Sequence, residues 1–330
     1  MYLMDCIVDI SNEVHKRRSE KHPVMGVFPD LEARLKGCPR FLFDESSIHT
    51  AVELTLGRPK VLRQAMQFLR IPYTKLWIEW PEAGRKKLRD TFTSRDDPID
   101  YPDRPLPTRL GFLLETDEEG RKGQVTWAWT NHFIREHEPP NVCPIGAFFD
   151  LDGNYDQVDT NVNFLKANLA SLWKDNMLQT EALKSIWRTA VHKQNYWGQK
   201  FISHYKYPKH LIQNFYADVY GEYIMVWACL LLLTSSRKIL DYTPVERSKL
   251  NKPRVQKGKA PLLDHTMVNL HINKEIQIHQ KGIPLGFERK SPRIHMVSSY
   301  LGVRGDKHWI VQPYWRGQGE MISRHVKVKL

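Results

Sequence analysis

Arg289, Lys290, Arg293 and His295 lead into the run LGVRGDKHWIVQPYWRG, where Arg304, Lys307, His308 and Arg316 are interleaved with Trp309, Tyr314 and Trp315. Cations neutralise phosphates and release counterions, while ring faces stack on unpaired bases, so this mixture suits a nucleic-acid face. Upstream, Lys249 and the string LNKPRVQKGKAP (Leu250–Pro261) add Lys252, Arg254, Lys257 and Lys259. Two prolines and a glycine in that string predict a flexible arm laid along a phosphate backbone. The competing reading is a small β-module whose rings form its own core and whose cations face water.

Charge distribution points the same way. From Tyr242 to Leu330 the chain holds 17 Lys+Arg against 6 Asp+Glu, a balance of +11 out of +12 for the whole chain. A basic segment attached to a nearly neutral body implies an anionic partner, DNA or RNA first among them. An alternative is catalytic: His295 and His308, facing each other across a hairpin beside Arg293, Arg304 and Tyr314, would suffice for metal-independent acid–base cleavage of RNA. A third class is a virion structural protein or a binder of a host protein, gripping an acidic surface.

Other strings carry less chemistry. FFDLDGNYD (Phe148–Asp156) has the DxDG of a phosphatase nucleophile motif but Asn154 where that motif has Thr, and its glycine does not fit a calcium loop. A turn in which Asp and Asn side chains bond their own backbone accounts for it better. His132 and His137 are five apart, not the four of a zinc-protease helix. Arg304–Gly305–Asp306 reads as the tip of a hairpin between Ile294–Tyr300 and His308–Val311. There is no phosphate-binding GxxxxGK[ST] loop, no CxxC pair, and no cofactor signature.

LNKPRVQKGKAPLLDH followed by SPRIHMVSSYLGVRGDKHWIVQPYWRG resembles an uncharacterised family of bacteriophage and prophage proteins, whose pattern is LNKxRxxxGKxPL, then SPRxH, then a tryptophan strand ending near PxxxG. LWIEW and RLGFLLE are also similar to that family. Where the family pattern carries RGH after SPRxH, this chain has Ser298 and Ser299, so a paired-histidine site does not carry over. The resemblance implies a phage context and no established activity.

The elements that must position these residues are predicted from periodicity. An amphipathic helix opens the chain and runs into His15, Lys16, Arg17, Arg18 and Lys21. Arg40–Phe43 is a strand, followed by the capping cluster Asp44–Ser47. Pro59 opens a helix with Val61, Leu62, Ala65, Met66 and Leu69 on one face. Leu76–Trp80, Leu110–Glu115 and Val125–Trp129 are strands, the last two joined by the hairpin turn TDEEGRKG. Helices follow around Phe164–Trp173, Leu183–Trp187 and Leu211–Leu233, then short β-runs at His265–Ile272, Ile294–Tyr300 and His308–Val311. The expected fold is α+β: an antiparallel sheet with helices over 1–145, a central helical layer over 146–241, and a small basic β-module over 242–330. The apolar run Ile224–Leu233 is ten residues, half of what a membrane span needs. With no signal-like N-terminus and four scattered cysteines, a cytoplasmic location in the host cell is expected.

Overall fold

The computed structural model describes residues 2–16, 26–83, 107–131, 140–155, 181–206, 208–234, 240–270, 295–297, 300–304, 307–311 and 314–316. Its centre is a mixed nine-stranded sheet, and the fold is α+β. The strands are β1 (Arg40–Phe43), β2 (Lys75–Pro81), β3 (Pro107–Thr116), β4 (Lys122–Asn131), β5 (Asn141–Val142), β6 (Ile145–Asp150), β7 (Ala190–Gln194), β8 (Leu240–Val245) and β9 (His265–Leu270), in the order β7-β6-β4-β3-β2-β1-β9-β8 with β5 beside β4. The predicted antiparallel sheet holds from β2 to β7. It becomes mixed at β1, which runs parallel to both β2 and β9. The β3–β4 hairpin forms as expected, with Gly120 in its turn at φ +68°, a conformation that favours glycine.

Alternation along the strands sorts side chains into two cores. Leu76, Ile78 and Trp80 of β2, Phe112 and Leu114 of β3, and Val125 and Trp127 of β4 face one side. There they pack under α3 (Glu45–Gly57), α4 (Pro59–Phe68), α5 (Glu181–Trp187) and α7 (Lys209–Leu233). Trp77, Leu113 and Ala128 face the other side, under α1 (Leu3–Lys16) and α2 (Val27–Lys36), with Trp197 and Phe201 at the start of α6 (Gly198–Tyr205) completing that core. A period-two strand places neighbours on opposite faces, so one tryptophan-rich sheet serves both helical layers. Asp44 caps α3 as its sequence suggested, accepting from the Ser47 N–H at 2.8 Å. Among the described residues no helix is long and apolar enough to cross a membrane, α7 included. The helix expected around Phe164–Trp173, His132 and His137 lie outside the described residues.

Residue 242 lies inside β8, which pairs with β9, and β9 in turn pairs with β1, so β8 and β9 are part of the main sheet. The string read as a flexible arm is α8 (Ser248–Gln256) with its capping turn. The terminal hairpin comprises β10 (His295–Val297), β11 (Tyr300–Arg304), β12 (Lys307–Val311) and β13 (Tyr314–Arg316), with β11 on β12 and β10 on β13. Gly305 and Asp306 do link the innermost pair, Arg304 and Lys307, but β12 is partnered by Tyr300–Arg304 and not by Ile294–Tyr300.

One charged residue in β2 fixes the N-terminal helix. Glu79 is fully buried, and its carboxylate accepts from the Leu3 N–H at 2.7 Å, the Met4 N–H at 3.1 Å, Trp77 Nε1 at 3.3 Å and Arg109 Nε at 2.5 Å. The first N–H groups of a helix lack partners within it, and its N-terminus favours negative charge. Glu79 answers both demands from the sheet. Gly111 of β3, the residue paired with Glu79, leaves room for the Trp77 indole, since an added Cβ there would stand 2.6 Å from it. Beside this anchor, Asp5 is buried, and burial pushes its carboxyl up to about 6, against the opposing pull of Arg247.

Removing the Glu79 side chain strands a buried guanidinium and two helix N–H groups, so Glu79→Ala should cost about 3 kcal/mol of unfolding free energy, read by urea denaturation. Asp5 has the reverse profile. A carboxyl whose pKa rises on folding stabilises the fold while protonated, so its contribution is complete below about pH 4 and is lost as pH climbs through 6. Wild type minus Asp5→Asn stability should therefore fall between pH 4 and 6 by about 3 kcal/mol, at 1.36 kcal/mol per pKa unit, and be flat above.

Candidate nucleic-acid interface

Helix α8 and its turn are built by internal bonds that the basic composition conceals. Asn251 clamps the returning chain in both directions: its Nδ2 donates to the Leu262 carbonyl at 3.0 Å and its Oδ1 accepts from the Leu262 N–H at 2.7 Å. Gly258 turns the backbone at φ +68°, and the Lys259 N–H then returns to the Arg254 carbonyl at 2.9 Å. At the far side, Asp264 Oδ1 accepts from the Arg247 N–H at 2.6 Å, while its carbonyl accepts from Arg40 Nε. The conspicuous Asn, Arg, Gly and Leu of LNKPRVQKGKAPLL thus close a compact loop upon itself.

The predicted binding residues in this segment divide into two groups. Lys249, Lys252, Lys257 and Lys259 are exposed. Arg254 is half-buried and structurally committed: its Nε donates to the Ala260 carbonyl at 3.0 Å and its guanidinium pairs with Asp9 of α1. It braces α8 against α1. The same docking brings in a cation from the opposite end of the chain. Lys16, in the last turn of α1, donates to the Gly258 carbonyl at 2.8 Å and remains half exposed. Its signal in sequence was the basic stretch from His15 to Arg18, but nothing local linked that stretch to residue 258.

The hairpin cations and rings form a different grouping. Arg304 is paired with Lys307, Val297 with Tyr314, Met296 with Trp315 and His295 with Arg316. His308 is paired with Val303, eight positions along from His295. In this register His295 and His308 are not cross-strand partners. Arg289, Lys290 and Arg293 lie outside the described residues. Among the described residues, β11 approaches α7 and β12 approaches α4, in the helical layer on the other side of the sheet from α1.

Burial shifts the cysteine thiols and one histidine of the core toward their neutral forms. Burial pushes the Cys6 and Cys38 thiols up to about 11, and raises Cys143 further. His192, sandwiched against Tyr220 at 3.9 Å between ring centroids, is pushed down to about 3 by burial and stays neutral. Among the described residues no cluster of His, Cys, Asp or Glu is arranged to hold a metal ion. No family model, no curated protein and no solved structure matches this chain.

Because Arg254 braces two elements whereas Lys252 is exposed, the two should separate in stability measurements. Arg254→Ala should lower unfolding free energy by about 2 kcal/mol through loss of charge-assisted bonds. Lys252→Ala should stay within about 0.5 kcal/mol of wild type. Thermal or urea denaturation checks both.

Proposed function

We propose that the chain is a nucleic-acid-binding protein that grips phosphates with α8, the turn after it and the end of α1. The observation that carries this reading is the presentation of Lys249, Lys252, Lys257 and Lys259 on a loop closed by its own hydrogen bonds, with Lys16 against it. Between Ser248 and Pro261 there is no Asp or Glu to neutralise them. Rigid presentation matters because ammonium groups on an ordered element lose less entropy on binding than the same groups on a floppy arm. Lysines in such a set meet phosphates as point charges, which favours affinity over sequence discrimination.

The terminal hairpin, with Arg304, Lys307, Arg316, Tyr314 and Trp315, supplies a second basic and aromatic element suited to unpaired bases. Its separation from α8 by the sheet argues for a partner that wraps the protein or for two independent binding events. The resemblance to phage proteins adds a bacteriophage context. Four free cysteines, three of them buried, fit a reducing compartment such as the host cytoplasm.

Fluorescence polarisation with labelled single- and double-stranded DNA and RNA, titrated with salt, tests the reading. Replacing Lys249, Lys252, Lys257 and Lys259 with Gln should weaken binding and reduce the slope of log K against log salt by about 0.9 for each duplex phosphate no longer neutralised. Probes intact on a denaturing gel distinguish binding from cleavage. Absence of binding at low salt would overturn the proposal and leave a protein partner as the anionic surface.

A further inference from the structure

Helix α8 carries nine residues, and none of them is buried. From Ser248 to Lys259 only Asn251 and Arg254 are half-buried, and the rest are exposed. These two share the face turned to the body, where Asn251 bonds Leu262 and Arg254 bonds Ala260 and Asp9. Just ahead of the helix, the half-buried Arg247 is tied through its N–H to Asp264. At about 100° of turn per residue, Lys249, Lys252 and Gln256 form the ridge on the opposite face. Leu250 flanks that ridge on one side and Val255 on the other.

A helix this short does not persist by itself in water, so hydrogen bonds to the body hold in place an element that adds no side chain to either core. What it displays is mixed in character. Leu250 is 51% exposed and Val255 57%, on a helix without a single acidic residue. Lysines account for attraction to phosphate, but not for the aliphatic pair. One exposed leucine needs no explanation; two branched aliphatic residues bracketing a basic ridge describe a surface that is basic along its crest and apolar on its shoulders. Aliphatic side chains gain free energy only where they meet an apolar surface, so the partner must offer apolar groups beside its negative charge.

Resting on the nucleic-acid reading above, we infer that α8 seats in the major groove of B-form duplex DNA. A helix with its side chains is about 10–12 Å across and the major groove about 12 Å wide, whereas the minor groove, at about 6 Å, does not admit it. In that seat the ridge points to the base edges. Lysine there meets the O6 and N7 acceptors of guanine, and the Gln256 amide matches N6 and N7 of adenine. Leu250 and Val255 meet thymine C5-methyl groups, the apolar component of that groove. An RNA duplex offers neither feature, because its major groove is deep and narrow and uracil lacks the methyl. A single strand has no groove. The lysines thus supply affinity for any polyanion, and the aliphatic pair selects the form of the nucleic acid.

Fluorescence polarisation on the full chain tests this with an A·T-rich DNA duplex, the same duplex carrying uracil in place of thymine, and an RNA duplex of the same sequence. The wild-type chain should bind the thymine duplex best and lose about fourfold in affinity for each methyl contact removed by uracil. The double variant Leu250→Ser, Val255→Ser should bind the thymine duplex about tenfold more weakly. Its salt slope should be unchanged, because no charge is removed. Its affinity for the RNA duplex should also be unchanged, and a thermal melt confirms that it is folded. Equal wild-type affinity for the thymine and uracil duplexes, an RNA duplex bound as well as DNA, or undiminished DNA binding by the folded double variant would overturn the groove seating. Each of those results, obtained with salt-sensitive binding intact, leaves the phosphate grip of the lysines standing. No binding of any duplex at low salt overturns both.

Discussion

A carboxylate placed in the interior of a sheet is tolerable only when its lone pairs are taken, and Glu79 meets that condition with four donors. Two of those donors are the opening N–H groups of α1, so satisfying the charge and seating the helix are one event. Arg109, which supplies the counter-charge, also lies over the Tyr2 ring at 5.0 Å, and Arg247 approaches the same ring at the same distance. The start of α1 is therefore held by a buried carboxylate at one point and by two guanidinium groups on an aromatic ring at another. From that seat α1 reaches α8 through Asp9 and Lys16. The orientation of the basic loop depends, through one helix, on a glutamate in β2.

Arginine and lysine play different parts throughout. Arg40, Arg109, Arg121 and Arg254 each bind carbonyls or carboxylates within the fold. A planar group with five fixed donors suits joining elements to one another. The lysines of α8 have no such duty and stay at the surface, where an ammonium keeps its hydration. A count of positive charge treats the two alike, and so overstates the number of cations available to a partner. Arg63 is the arginine that departs from this division, since its charge is left without a carboxylate among the described residues.

Much of the scaffold was legible because it rests on local periodicity. The apolar strand LWIEW, the alternation in VTWAW, Pro59 at a helix start, Asp44 as a cap and the polar turn TDEEGRKG each appear where the sequence put them. Legibility failed where bonds run between distant segments. LNKPRVQKGKAP has the composition of a loop, and Pro253 lies inside its helix, yet Asn251 and Arg254 close it by bonding Leu262, Ala260 and Asp9. Strand register is a related case: it sets His295 opposite Arg316 and His308 opposite Val303, pairings that nearness in sequence does not fix.

The sequence by itself determined that this chain folds as α+β with a tryptophan-rich sheet, and that its net positive charge is concentrated after residue 241. Those properties follow from side-chain polarity and spacing, which are local. Tertiary structure alone decided that β8 and β9 belong to the main sheet, that Lys16 joins the lysines of α8 and its turn, and that Arg63, Arg121 and Arg188 line one cavity. Each of these depends on which strands are neighbours and which helices lie on the same side of the sheet. Such adjacency is set by packing two cores against one sheet at once, a global requirement that no short window of residues expresses.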